Sequence, residues 1–276
     1  MLKQRVITAL VLLAILIVAL TVGRPYGFPL FALAMVGVVV AEWLNLLAIS
    51  RLTSAVVAAL LMFVVWMADG SAYGATAARV LWIVAAVVWI ALAVGLFVQG
   101  RFPPSDRWRL VHACLALVLP CACWFALVAA YRIGLVYLLS ILAVAWAADI
   151  AAYFAGRAFG KRKLAPAISP GKTWAGAVGG AVAAIVLAAV CMAVPSLQDS
   201  FFAVAARRWP SVAVLAIALV LVVLSIVGDL FESQLKRQRG VKDSGRLLPG
   251  HGGVFDRVDA LLPIVPVALL LGLAAP

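Results

Sequence analysis

Apolar residues run along this chain in stretches of roughly 16 to 22 positions before a short polar break interrupts each one. As helices, such runs are long enough to cross a hydrocarbon layer of about 30 Å. The pattern predicts nine spans, at about 6–22, 28–48, 53–69, 79–98, 110–130, 133–154, 174–194, 211–231 and 258–275. The first is read as a retained span, because no small-residue cleavage site follows and Gly23-Arg24-Pro25-Tyr26 leads straight into more apolar sequence. The last contains Pro263 and Pro266, and its apolar core from Ala260 to Ala275 is roughly 24 Å as a helix. A short, tilted or re-entrant crossing is therefore open there, and with it the side on which the C-terminus lies. The fold class expected is all-α, a polytopic membrane protein of about nine transmembrane helices. Residues 1–130 form a block of about five spans, and 131–276 hold the two long cationic loops, 155–173 and 232–257.

Composition agrees with a chain immersed in lipid: 67% of residues are hydrophobic and 12% charged. A net charge of +12 would suggest nucleic acid in a soluble protein, but cytoplasmic loops of membrane proteins collect Lys and Arg. With the N-terminus in the cytoplasm, 17 cations fall inside and five outside, so no nucleic-acid partner is expected. Cys114, Cys121, Cys123 and Cys191 all lie in apolar runs without redox or zinc spacing, and are read as small core residues.

The chemistry concentrates between Asp229 and Asp259. Five of the ten acidic residues are there (Asp229, Glu232, Asp243, Asp256, Asp259), with six of the 22 cations (Lys236, Arg237, Arg239, Lys242, Arg246, Arg257). Carboxylates that can hold a hard divalent cation, beside cations and glycines that can hold phosphate, are what phosphoryl chemistry requires. This stretch is read as an active site on the cytoplasmic face. Asp229, Glu232, Ser233 and Lys236 fall at i, i+3, i+4 and i+7, on one helix face. An ionisable group where Asp229 sits is costly in an apolar span, which argues for a compensating cation. Gly250-His251-Gly252-Gly253 can reverse the chain and return Asp256 beside Asp229, with Asp259 just beyond. Asp243 lies between Lys242 and Arg246 and has an ion-pairing role open to it as well as a catalytic one. His251 can contact phosphate, move a proton or cap a turn.

The shorter loop carries matching chemistry. Asp149, Tyr153 and Gly156 form a stripe at the end of the sixth span, and Ser169-Pro170, Lys172 and Thr173 open the seventh. Hydroxyls, a lysine and free amides at a helix start suit phosphate; plain positive-inside anchoring is the alternative. Gly171-Lys172-Thr173 lacks the upstream glycine pattern of a nucleotide P-loop.

The run from Ser233 to Asp259 resembles the signature of the CTP:phosphatidate cytidylyltransferases. It matches at Ser233, Leu235, Lys236, Arg237, Lys242, Asp243, Gly245, Leu248, Pro249, His251, Gly252, Gly253, Val254, Asp256, Arg257, Val258 and Asp259. Asp149-x-x-Ala152-Tyr153-Phe154 and Ser169-Pro170-x-Lys172-Thr173-Trp174 resemble a second region of that family, from which Gly171 and Ala175 depart. The resemblance covers the C-terminal half. It implies the conversion of CTP and phosphatidic acid to CDP-diacylglycerol and pyrophosphate, by a homodimer at the cytoplasmic face of a bacterial inner membrane. It implies magnesium, with room for a second, monovalent cation, at carboxylates such as Asp229 and Asp256; Glu232 and Asp259 complete the candidate ligand set. Lys236, Lys242 and Asp243 join Asp229 and Asp256 as candidate catalytic residues. Ser169, Lys172, Thr173, Arg237, His251, Arg257, Asp149 and Tyr153 are candidates for substrate binding. A related CTP-dependent enzyme acting on a lipid alcohol shares this charge logic, and a cation-coupled transporter would also place Asp149 and Asp229 near the membrane.

Overall fold

A computed structural model of the chain describes residues 2–250 and 252–273. Its elements in order are helices α1 (Leu2–Thr21), α2 (Gly27–Leu46), α3 (Arg51–Asp69), α4 (Gly74–Gln99), α5 (Arg109–Ile133) and α6 (Leu135–Phe159), then strands β1 (Lys163–Ala165) and β2 (Ser169–Thr173). After these come α7 (Trp174–Ala193), a 3-10 turn at Pro195–Leu197, α8 (Phe201–Ala206), α9 (Ser211–Gln238), α10 (Phe255–Val258) and α11 (Leu261–Leu273). The all-α membrane architecture stands. Among the described residues seven helices, α2 to α7 and α9, are long and apolar enough to cross a bilayer, against the nine spans expected.

Helix α1 is 20 residues long, and its apolar part among the described residues is Leu10–Thr21. The last expected span differs for a physical reason. Helix α11 has 13 residues, about 20 Å at 1.5 Å per residue. It does not face lipid: Leu262, Ile264, Val265, Ala268 and Leu269 are buried, and the helix packs against α4, α5, α6 and α9. It is the apolar centre of the bundle, which is why its sequence is hydrophobic all round. The two sequence blocks therefore share one core.

Helices α6 and α7 pack most closely. Along α7, Gly176, Gly180, Ala184, Ala188 and Cys191 form a buried stripe of small residues, while Val178, Val182, Val186 and Val190 are exposed on the opposite face. A Cβ on Gly179 would lie 2.5 Å from Ala155 Cβ, and one on Gly176 2.9 Å from Ala152 O. Small residues let backbones approach in lipid, where no hydrophobic force draws helices together. Three of the four cysteines are buried as expected, but Cys114 is exposed on α5.

The bundle has two ends. At one, Gln234 on α9 exchanges hydrogen bonds with Phe102: the Phe102 amide donates to Oε1 (2.9 Å) and Nε2 donates to the Phe102 carbonyl (3.0 Å). Thr8 on α1 donates to the Pro249 carbonyl at that same end (2.9 Å). At the other, Arg132 pairs with Asp69 (2.6 Å) and Arg208 donates to the Gly272 carbonyl.

Replacing Gly179 with Leu drives a side chain into Ala155 at the closest seam of the bundle. Overpacking of this kind costs about 1–3 kcal/mol. The variant's melting temperature in detergent is expected to fall by several degrees, and an unchanged melting curve would mean that α6 and α7 are not held by this contact.

Candidate active site

Helix α9 runs unbroken from lipid-facing residues into the polar end of the bundle, and its last turns carry the expected stripe. Ser233 Oγ donates to Asp229 Oδ1 at 3.2 Å, and Lys236 Nζ lies 2.5 Å from Glu232 Oε2, one helical turn away. The same ammonium lies 2.6 Å from Asp256 Oδ1, which comes from α10. Lys236 thus stands between carboxylates from two elements.

The chain reversal that delivers Asp256 depends on glycine. Gly250 and Gly252 have φ of 75° and 82°, the left-handed region that L side chains rarely adopt. The Leu248 amide closes the turn on the Gly252 carbonyl at 3.0 Å. Asp256 Oδ2 then accepts from the Gly253 amide (2.8 Å), the Ser244 amide (2.9 Å) and Ser244 Oγ (3.0 Å). Burial by itself would raise this carboxyl, but the Lys236 ammonium and the two amides outweigh that and hold it at about 2. Asp259 goes the other way: burial and the Asp229 charge push it well above the usual carboxylate range, while its Oδ1 accepts from the Ala260 amide (2.7 Å).

The shorter loop does reach α9. It folds as a β1–β2 hairpin, an element absent from the sequence expectation, with Lys163 opposite Thr173 and Ala165 opposite Ser169. The hairpin hangs Lys172 over α9, with Nζ 2.6 Å from Asp229 Oδ2. Thr173 Oγ1 caps α7 by accepting from the Gly176 amide at 3.1 Å. Asp149, Tyr153, Lys172, Thr173 and Asp229 line one cleft of about 440 Å³, together with Ala148, Gly180 and Val222. Ser169 is not part of that lining.

A second cleft of about 1190 Å³ lies across the polar end. Arg51, Arg239, Lys242 and Arg246 line it together with Asp243, and none of these four cations is in an ion pair among the described residues. Arg237 and Arg257 are exposed at this end, and His251 lies outside the described residues.

Sequence reasoning passed over Glu42. It is 6% exposed on α2 and its oxygens accept from Ser244 Oγ (3.0 Å), the Phe255 amide (2.8 Å) and the Val254 amide (3.2 Å). A Cβ on Gly245 or Gly253 would strike this carboxylate. Its neighbour Trp43 stacks on Phe255 (5.1 Å between ring centres) and meets Phe231 edge-on (5.2 Å). The signal was present: a lone carboxylate inside an apolar run.

A family model described as the cytidylyltransferase family matches residues 3–274. The chain belongs to the cytidylyltransferase family. A protein of Pseudomonas aeruginosa named phosphatidate cytidylyltransferase is 38% identical over 286 residues, covering 100% of this chain and 98% of its own. One of that name from Haemophilus influenzae is 37% identical, covering 96% of each. A third, from Brucella suis, is 49% identical over 142 residues, 50% of this chain. Family membership makes the chain a nucleotidyltransferase and removes the transporter reading.

For a cytidylyltransferase the donor set is informative. Both oxygens of Glu232 are buried and neither receives an oriented hydrogen bond, despite the close ammonium of Lys236. Glu232 Oε1, without a hydrogen bond, and the neighbouring carboxylates Asp229, Asp256 and Asp259 suit a hard cation in kind. Asp229 and Asp256 are each paired with a different lysine, Lys172 and Lys236. Among the described residues no three acidic, His or Cys groups are grouped for joint coordination.

The depressed Asp256 carboxyl sets a pH window. A group whose folded value lies below its unfolded value of about 3.9 stabilises the fold fully above that pH. That contribution is lost as pH falls through about 2. Acid-protease cleavage of the 239–254 segment is expected to stay slow above about pH 4 and to accelerate towards pH 2. A rate indifferent to pH across that range, after correction for the protease's own profile, would remove Asp256 from the turn's support.

Proposed function

We propose that the protein transfers the cytidylyl group of CTP to phosphatidic acid, giving CDP-diacylglycerol and pyrophosphate. The observation that carries this reading is that two clefts, one partly apolar and one cationic, flank a single seam of lysine-paired carboxylates at the polar end of a lipid-facing bundle. Full-length similarity to proteins named phosphatidate cytidylyltransferase supports it.

A phosphate oxygen of the lipid attacks the α-phosphorus of CTP, the α–β bridging bond breaks, and its electron pair leaves with pyrophosphate. The attacking phosphate has a second pKa near 6 and is largely ionised at neutral pH, so no strong general base is needed. The task is to bring two anions together. The cleft between α6, α7 and α9 suits the lipid: Ala148, Gly180 and Val222 are apolar, while Lys172 and Tyr153 supply polar groups. The acyl chains stay in the membrane. The second cleft suits the triphosphate, because Arg51, Arg239, Lys242 and Arg246 are charged there and form no ion pair among the described residues. Lys236 and Asp256 lie between: Asp256 is held by Ser244, which lines the second cleft, and Lys236 shares its helix with Asp229, which lines the first.

Magnesium, with a monovalent ion as a second cation, is taken as the cofactor on the resemblance to the family; its ligands would come from among Asp229, Glu232, Asp256 and Asp259, and when bound it would neutralise charge on the phosphates. We take the polar end and the N-terminus to face the cytoplasm of a bacterial inner membrane, on the distribution of cations. The working unit is taken as a homodimer, on the resemblance to the family.

Purified protein given CTP, magnesium and phosphatidic acid should release pyrophosphate, and omission of the lipid should abolish release. Arg51→Ala and Arg246→Ala should each raise KM for CTP about tenfold or more, since a charge-assisted hydrogen bond contributes roughly 1.5–3 kcal/mol. KM for phosphatidic acid should hold. A matching rise in the lipid's KM instead would take the triphosphate out of this cleft.

Sidedness has its own test. In a Cys114→Ser background, cysteines introduced at Lys163 or Gly240 should escape an impermeant thiol reagent added to intact cells. Efficient labelling at either position would invert the topology.

A further inference from the structure

Glu42 has no place in the reaction as described, yet it is among the most constrained charged groups in the molecule. It stands on α2, a helix otherwise almost wholly apolar, and forms no ion pair among the described residues. A buried carboxylate without a cation is tolerated only where hydrogen-bond donors replace the lost water. All three donors come from the segment that carries Asp256. Oε2 accepts from Ser244 Oγ and the Phe255 amide, and Oε1 from the Val254 amide.

The same segment is gripped from its other side. Ser244 Oγ lies 3.0 Å from Glu42 Oε2 and 3.0 Å from Asp256 Oδ2, so one hydroxyl touches both carboxylates. The two amides bound by Glu42 belong to the residues immediately before Asp256. Glycine at positions 245 and 253 is required by this arrangement, because a Cβ at either would collide with Glu42. An amide in place of the carboxylate would turn a donor towards a donor in either orientation.

We infer that Glu42 is a positioning residue for cytidylyl transfer, supplied by the N-terminal half of the chain: it sets the seat of Asp256 through Ser244 and the 254–255 backbone. The inference rests on the reading of the reaction given above. Glu42 lines the second cleft, but its oxygens are occupied by the chain's own donors, which separates it from the residues that would touch substrate. A purely structural role would lower the amount of folded protein and leave each folded molecule competent.

The test compares Glu42→Gln, Ser244→Ala and the double variant, with kcat expressed per folded molecule from size-exclusion and melting profiles in one detergent. Ser244→Ala is the gentler change, since it leaves two of the three hydrogen bonds to Glu42. Misplacement of a reacting constellation by about 1 Å costs on the order of a hundredfold in rate. Each single variant is therefore expected to lose ten- to hundredfold in kcat, with KM for CTP and for phosphatidic acid within about threefold of the parent. Because the two residues act on one carboxylate, the double variant should be little worse than the poorer single. Unchanged kcat per folded molecule in both singles overturns the inference, as does a double-variant loss equal to the product of the single losses. A fall in KM for CTP with kcat intact would also overturn it, making Glu42 a repulsive contact to substrate. If the parent itself fails to turn over CTP and phosphatidic acid, the underlying reading of the reaction fails, and the inference with it.

Discussion

Lys236 stands between Glu232 and Asp256, and this arrangement constrains most of what surrounds it. Its side chain is 14% exposed, with one carboxylate 2.5 Å and the other 2.6 Å away. Removing a cation and two anions from water costs several kcal/mol per ion, and the attraction between them repays this only in good geometry. The first partner comes at no topological cost, being one helical turn away on α9. The second requires the chain to leave α9, reverse and come back to the same depth. The glycines at 250 and 252, the bonds from Ser244 and Gly253, and the Glu42 pillar all serve that return.

The return is also fixed by packing. Trp43, Phe231 and Phe255 are the sequence neighbours of Glu42, Glu232 and Asp256, and their rings stack or meet edge-on at 5.1 and 5.2 Å. Each carboxylate thus sits beside an aromatic anchor in a shared apolar cluster to which Trp89, Phe102 and His112 add further faces against Phe231. Aromatic pairs of this kind contribute about 0.5–1.5 kcal/mol beyond their buried area. Alternation of apolar anchor and charged group lets one short segment hold to the core while presenting charge to the clefts.

Much of this was legible from residues alone, and what was not has a common cause. Span-length apolar runs located seven crossing helices, because lipid leaves the backbone no other way to satisfy its hydrogen bonds. The α9 stripe was legible because i, i+4 spacing is local. The glycine turn was legible because positive φ selects its residues. The hairpin at 163–173 was missed: its strands have three and five residues, and Pro170 and Gly171 hide the second. The pairing of Lys172 with Asp229 and of Lys236 with Asp256 depends on how separate elements pack, which spacing does not reveal. Glu42 is the clearest case, since its partners lie more than 200 positions away. The central burial of α11 was hidden for the opposite reason, an apolar helix being equally at home in lipid and in a core.

Helix α9 is the element through which the two clefts share one geometry. Asp229 at its inner turn is neutralised by Lys172 from the hairpin, and Glu232 one turn on by Lys236 from α9 itself. The hairpin's position depends in turn on the small-residue seam that sets α7 against α6, because Thr173 both ends β2 and caps α7. On the other side, Gln234 and Gln238 tie α9 to the 102–105 segment, and Gly228 lets the start of α11 approach it. A shift or rotation of α9 would therefore displace Asp229 from the lipid-side cleft and Lys236 from Asp256 together. The two lysine pairs are reached from different parts of the chain, yet they are mounted on one rigid rod, so neither cleft can be reshaped without disturbing the charge balance of the other.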